Sequence, residues 1–285
     1  MNDARASLAV IGGSGLYRLF DPDESTRLDV PTPYGPADVA IGSLAGRRIA
    51  FLTRHGSDHS VAPHLINYRA NVWALASLGV RAIVSSAAVG GVSPEYPPGT
   101  LALPDQFIDR TWGRTDTFFD RGSVQHLAAA DPFCPRLHGI AVDALAAAGI
   151  DITPAGTVVV IQGPRFSTRA ESLWFRAAGA HLVNMTLYPE VPLAAELNIG
   201  TVNLSFVTDS DAGPSAAGAG ADNDDLDDAG DELSAELVFA RLKAAQPQII
   251  AAIEAILQAV PDDYATRDLI DPAAVAAVLA REVLR

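Results

Sequence analysis

The 285-residue chain has a single cysteine, Cys134 in "DPFCP", and a single lysine, Lys243; its other basic side chains are arginines and six histidines. One cysteine excludes an intrachain disulfide and a cysteine-built zinc site, which leaves Cys134 to read as a small buried apolar residue. One lysine argues against Schiff-base chemistry, so any bound anion must be held by arginine, histidine, backbone N–H groups or hydroxyls. Positive charge as a whole is short: the net charge is −14. Nucleic acids and anionic membrane surfaces select clustered positive charge, and neither is expected as a partner. Long apolar runs are missing too. The opening "MNDARASLAVIGGSGLY" breaks into glycines after a few apolar residues, so neither a secretory nor a membrane segment is expected there, and a cytoplasmic protein is.

What is present is a 49% hydrophobic chain able to bury a large core, with no internal repeat and no domain linker, read as one domain over 1–285. Short β-branched runs ("SLAVIGG", two strands around the "LAG" turn of "ADVAIGSLAGRRIAFLTRHG", "VRAIVSSAAVGG", "TLALPDQFI", "GTVVVIQG", "AHLVNMT", "GTVNLSFVTD") alternate with helical patterns ("NYRANVWALASLG", "STRAESLWFRAAG", "PEVPLAAELN"). That order predicts an α/β fold with a mixed central sheet flanked by helices, its ligand site beyond the carboxyl ends of strands. Much of the acid lies in "ADNDDLDDAGDE", within a 212–232 segment read as a solvated loop or a lid. Further helices are expected over Leu233–Ala259 and Pro272–Leu284, the latter within a helical C-terminal segment, 260–285.

Several segments carry candidate chemistry. "IGGSGLY" follows a strand, but Arg18 stands where a dinucleotide fingerprint needs its third glycine. What remains is an ordinary turn or a nest of N–H groups and the Ser14 hydroxyl suited to a small anion. "TRHGSDHS" sets Arg54, His55 and His59 after a strand: a surface loop, or an anion site in which the arginine fork meets two oxygens and histidine adds a donor. Its spacing matches no zinc pattern, and no metal is expected. "SSAAVGG" is close packing or a place where a ligand nears the backbone. Met185 and Thr186 of "NMT" are core residues or pocket walls. In "GPRFSTRAES", Thr168 and Glu171 form a capping box, and Phe166 just before the helix is placed to face a ligand ring. In "LSFVTDSDAG", Asp209 and Asp211 lie two apart, on one side of an extended chain, and either cap a turn or address one ligand. A half-buried acid beside another holds its proton more tightly, which suits a general acid.

Taken in order, "IGGSG", "TRHG", "DQFIDRT", "DPFCP", "QGPRFSTRAES", "NMT-x-x-PE" and "TDSD" resemble the trimeric purine nucleoside phosphorylase and 5′-methylthioadenosine phosphorylase family over nearly the whole length. The "GPRFSTRAES" and "TDSD" forms look like the methylthioadenosine branch. The resemblance implies a nucleoside phosphorylase-like fold and no cofactor, with inorganic phosphate as co-substrate. It puts phosphate on Ser14, Arg54, His55, the backbone of Ala87 and Ala88, and the Thr186 hydroxyl. It puts Phe166 and Ser167 beside the base, Met185 under the ribose, and Asp209, the implied acid, with Asp211 at the purine edge. His126 matches a histidine lent to the next subunit, which implies a homotrimer or a dimer of trimers. The implied reaction is phosphorolysis of methylthioadenosine, with 6-oxopurine nucleosides or methylthioinosine as alternative substrates. Residues near Ala235 and Val238 are expected around the 5′ substituent. A nucleotide-dependent oxidoreductase and a non-enzymatic nucleoside-binding protein are the rival classes.

Overall fold

The computed structural model describes residues 5–211, 234–265 and 268–283. The expected acidic loop, 212–232, lies outside them. The elements run β1 (Leu8–Gly12), β2 (Thr26–Val30), β3 (Ala37–Leu44), β4 (Arg47–Thr53), α1 (Tyr68–Ser77), β5 (Ala82–Gly91), β6 (Leu101–Ala102) and β7 (Gln106–Arg110). They continue with α2 (Pro135–Ala147), β8 (Thr157–Ile161), α3 (Arg169–Ala177), β9 (Leu182–Asn184), α4 (Leu187–Glu196), β10 (Gly200–Asp209), α5 (Ala235–Ala259) and α6 (Pro272–Leu279).

One ten-stranded mixed sheet carries the fold, in the order β2-β3-β4-β1-β5-β9-β8-β7, with β10 beside β5 and β6 beside β10. Strands β4, β1, β5 and β10 are mutually parallel and end on one side of the sheet. Their alternation explains why both faces are covered. In β1, Ala9 and Ile11 enter one core with residues of α1, α4 and α6, while Leu8 and Val10 enter the other with residues of α2 and α5. A parallel strand apolar on both sides needs a helical layer on each face.

Arginines pin α5 at two places. Arg47 Nη1 donates to the carbonyls of Leu257 and Val260 at 3.2 and 2.7 Å, and Arg241 Nη1 donates to the Thr208 carbonyl at 2.6 Å. Among the described residues, no helix is long and apolar enough to cross a membrane.

The structure departs from the sequence reading in four elements. "TLALPDQFI" splits into β6 and β7, which pair with β10 and β8 respectively; Pro104 stands between them and has no N–H to continue a ladder. Strand β2, mostly exposed, and helix α2 are additional. The last helix stops at Leu279 rather than Leu284.

Candidate active site

A cavity of about 380 Å³ opens at the C-terminal ends of β1, β4, β8, β9 and β10 and against the second half of β5. It gathers Ser14, Arg54, His55, Ala87, Ala88, Phe166, Ser167, Met185, Thr186, Asp209 and Asp211 from widely separated parts of the chain, together with Ala235 and Val238. Of the residues expected at a site, only His126 is elsewhere: it is exposed and does not line the cavity of its own chain.

At one end the walls suit an anion, in a form that differs from the sequence reading. Arg54 is 2% exposed. Its Nε and Nη2 donate to the two carboxylate oxygens of Glu190 at 2.6 and 2.7 Å, and its Nη1 donates to the Ser86 carbonyl at 3.0 Å. One edge of the guanidinium is therefore occupied, so Arg54 offers a ligand only its remaining N–H groups rather than a whole fork. Close packing lets it sit there: a Cβ on Gly13 would lie 3.0 Å from Arg54 Nη1 and 2.4 Å from the Ser86 carbonyl oxygen. The expected N–H nest is likewise partly filled, because the Gly13 N–H donates to Ser86 Oγ at 3.2 Å.

His55 lies beside Arg54 and is also buried. Its Nδ1 is 2.9 Å from the Val61 carbonyl oxygen, an acceptor only, so this nitrogen carries a proton. Burial, then the Arg54 charge, lowers the His55 pKa to about 4. The ring is thus neutral near pH 7, and Nε2 presents a lone pair. The sequence reading expected a donor here; the structure supplies an acceptor. Thr186 completes this end. Its N–H donates to Asn184 Oδ1 at 2.6 Å, and Asn184 Nδ2 reaches the Ala88 carbonyl at 3.4 Å. Asn184 so ties β9, β5 and the start of α4 together behind the threonine hydroxyl.

At the other end sits the acidic pair. Asp209 is 7% exposed and Asp211 3%. Asp209 ends β10, whereas Asp211 lies in a turn with φ of +48°. The two meet through an Asx-type turn rather than strand alternation: the Asp211 N–H donates to Asp209 Oδ1 at 2.9 Å. The two readings offered for this pair, turn chemistry and a shared ligand, are therefore compatible. Thr208 Oγ1 lies 2.7 Å from Asp209 Oδ2 and 3.2 Å from the Val89 carbonyl oxygen. Its one proton can serve either. Burial raises the Asp209 pKa to about 6, against the lowering effect of the Thr208 and Asp211 donors; the Asp211 charge raises it and Arg241 lowers it. Gly90 makes the space, since a Cβ there would stand 3.0 Å from Asp209 Oδ1.

Phe166 and Ser167 follow β8 and line the same cavity. The Ser167 hydroxyl oxygen is buried and has no hydrogen-bond partner among the described residues. The capping box is present: Thr168 Oγ1 accepts from the Glu171 N–H, and Glu171 accepts from the Thr168 N–H. Arg165 also pairs with Glu171 at 2.7 Å. Met185 packs against the glycine turn after β8, where a Cβ on Gly163 would fall 2.6 Å from its Sδ.

The third wall is apolar. Ala235, Val238 and Phe239 of α5 face the cavity with Val61 and Ala62, and the His59 ring sits tilted against His55 and edge-on to Phe239, at centroid distances of 4.6 and 5.2 Å. Among the described residues no group of three or more His, Cys, Asp or Glu could hold a metal ion. Glu190 and Asn184 are not among the site residues expected from sequence, although both are letters of the "NMT-x-x-PE" motif.

The sequence matches the phosphorylase superfamily over residues 7–258. A purine nucleoside phosphorylase of Streptomyces coelicolor is 49% identical over 222 residues, 74% of this chain and 79% of that protein. An S-methyl-5′-thioadenosine phosphorylase of Mycolicibacterium smegmatis is 51% identical over 209 residues, 72% of this chain and 78% of that one. Among solved structures, methylthioadenosine phosphorylase from Schistosoma mansoni in complex with adenine is similar with a TM-score of 0.80 at 30% identity, over 96% of this chain and 98% of that one. The chain belongs to the phosphorylase superfamily.

Proposed function

We propose that the protein catalyses the reversible phosphorolysis of S-methyl-5′-thioadenosine to adenine and 5-methylthioribose 1-phosphate. The observation that carries the reading is that one cavity is lined by a hydrogen-bonding anion end, a buried acidic pair, an aromatic ring and an apolar wall. The named activities of the Mycolicibacterium and Schistosoma relatives support the same substrate.

In this reading phosphate lies below the ribose. It is held by the Arg54 N–H groups left over from Glu190, by Ser14 and Thr186, and by the backbone of Ala87 and Ala88. The His55 lone pair accepts from a protonated phosphate oxygen. A phosphate oxygen forms a bond to the ribose anomeric carbon as the bond to the purine nitrogen breaks, and the electron pair of that bond passes to the purine. The sugar gains positive character and the base negative, so stabilising both lowers the barrier. Asp209, protonated, gives its proton to the imidazole ring of the leaving base, while the Thr208 hydroxyl turns between Asp209 and the Val89 carbonyl as that proton comes and goes. Asp211 accepts from the exocyclic amine. Phe166 and Ser167 border the base, Met185 underlies the ribose, and Ala235 and Val238 face the 5′ methylthio group. Phosphate is a co-substrate, and the reaction as drawn requires neither metal nor cofactor.

The working unit in this reading is a homotrimer or a dimer of trimers, in which His126 reaches a neighbour's cavity. Its exposure and its absence from the lining of its own cavity support that assignment, as do the exposed aromatic rings of Trp112 and Trp174.

A second reading, phosphorolysis of 6-oxopurine nucleosides or methylthioinosine, draws on the Streptomyces relative's name. An acid that accepts from a 6-amino group disfavours a 6-oxo group by roughly 10⁴ when the mismatch is buried. Incubation with methylthioadenosine, inosine or methylthioinosine, each with and without phosphate, separates the readings. Phosphate-dependent adenine release with the first substrate preferred is expected; preference for either 6-oxo substrate overturns the assignment.

A further inference from the structure

Arg114 is half-buried and lies outside the cavity lining. It has no carboxylate within ion-pair distance among the described residues. Its Nη1 and Nη2 groups donate instead to oxygens on two segments that build the cavity and, through a tyrosine hydroxyl, reach a third. Nη2 donates to the carbonyls of Gln162 at 2.9 Å and Ile161 at 3.5 Å, at the end of β8 just before Phe166 and Ser167. Nη1 donates to the carbonyl of Tyr188, two residues beyond Thr186. Nη1 also donates to the Tyr68 hydroxyl at 3.3 Å, and that hydroxyl donates to the Pro63 carbonyl at 2.9 Å, on the loop that follows His55. Ile161 and Pro63 themselves line the cavity.

Neighbouring contacts make this a clamp rather than a single bond. Trp112 and Gln162 exchange a pair of hydrogen bonds, backbone N–H to side-chain oxygen and side-chain N–H to carbonyl, each 3.1 Å. The Tyr188 hydroxyl donates to Asp116. A cation desolvated beside carbonyls and carrying several of their dipoles is costly to hold without a use, and burial lowers the Arg114 pKa. Its planar, multi-donor head spans acceptors on separate strands in a way that an ammonium cannot.

We propose that Arg114 is a positioning residue for the reaction, fixing the base-bordering segment 161–167 against the anion-binding segments through their carbonyls. The inference rests on the proposed phosphorolysis. It requires that loss of Arg114 act on the nucleoside step through geometry, since misplacement of about 1 Å can cost on the order of 10² in rate.

The test compares Arg114→Ala, Arg114→Lys and Thr117→Ala with the wild type. Thr117 lies on the same loop and donates to Glu196 at 2.7 Å, so its loss loosens the loop while leaving the Arg114 contacts in place. For each protein, thermal unfolding, the kcat and KM for methylthioadenosine and phosphate, and calorimetric affinity for adenine are measured. Expected are a fall in nucleoside kcat/KM on the order of 10² for Arg114→Ala, a smaller fall for Arg114→Lys, weaker adenine binding by both, and kcat/KM close to wild type for Thr117→Ala despite a lower melting temperature. If Arg114→Ala does not fold, Arg114→Lys decides by the same measures. Nucleoside kcat/KM within threefold of wild type in the Arg114 variant, or an equal fall in Thr117→Ala, overturns the inference. A wild type that releases no adenine with phosphate overturns the proposed reaction instead, and adenine affinity then judges Arg114; no adenine binding by the wild type overturns both.

Discussion

Arg54 and Glu190 form a bidentate pair, at 2.6 and 2.7 Å, inside the wall of the cavity. The pair removes most of the net charge that arginine brings to the anion end. Breaking a buried pair by removing one partner leaves an uncompensated charge and costs about 3–5 kcal/mol. In Glu190→Gln, phosphate becomes the available counter-charge. The variant is expected to unfold more easily in phosphate-free buffer, and added phosphate is expected to raise its melting temperature more than that of the wild type. Equal phosphate-induced shifts in the two proteins would show that Glu190 does not set the charge of this end.

Asp209 and His55 act on stability in opposite directions over acidic pH. Asp209 has its folded pKa raised from 3.8 to about 6; its contribution is complete below the lower value and lost as pH rises through the upper one. His55 has its folded pKa lowered from 6.5 to about 4; its contribution is complete above the upper value and lost as pH falls through the lower one. The two largely cancel in the wild type between pH 4 and 6. Asp209→Asn removes one of them, so its unfolding free energy should fall more steeply on acidification than that of the wild type, by up to ~3 kcal/mol. Parallel denaturation profiles across this range would contradict the assignment.

The same carboxyl group is expected to dominate the chemistry. Asp209→Ala should lose roughly 10²–10⁴ in kcat for methylthioadenosine, with a smaller change in KM. Asp209→Asn can donate to a 6-oxo group and should move preference toward inosine or methylthioinosine. Steady-state comparison of the three substrates reads both effects, and unchanged turnover in Asp209→Ala rules Asp209 out as the acid.

Ser167 gives a prediction in which stability and binding separate. Its buried hydroxyl oxygen has no partner among the described residues, so Ser167→Ala should leave the melting temperature unchanged or slightly raised. If the base supplies the missing partner, KM for the nucleoside rises about two- to tenfold, one hydrogen bond's worth. A lower melting temperature with unchanged KM would place that hydroxyl's partner within the protein.

The sequence made the sheet legible because its inner strands are continuous apolar runs such as "AIVSSAAVGG", and it made most cavity residues legible because they lie within such a run, as Ala87 and Ala88 do, or at or just past its end, as Arg54, Thr186 and Asp209 do. Strand β2 was harder to see: "TRLDV" is a largely exposed edge strand with little apolar contrast. Helix α2 leaves a fainter trace: Leu137, Ala141 and Leu145 recur at helical spacing and are all buried, but short alanines and glycines surround them. Partnerships were less legible than positions. Nothing local in "TRHG" says that the arginine fork will be occupied by a glutamate 136 residues away, or that a backbone carbonyl will fix the tautomer of the next histidine. Asp211 reached its expected place by a left-handed turn, which strand periodicity does not encode.

Helix α5 resembles a beam on two supports. Arg47 grips its far end through the carbonyls of Leu257 and Val260, and Arg241 ties it to the Thr208 carbonyl near the cavity. What extends past the second support is an overhang of about 9 Å, from Ala235 to Ala240, and it carries Ala235, Val238 and Phe239. Substitutions on that overhang can reshape the apolar wall while both supports hold, which leaves the acid at the strand end undisturbed. In the proposed reaction, the size of group admitted along the apolar wall and the proton transfer at the acidic pair are therefore separately adjustable parts of one molecule.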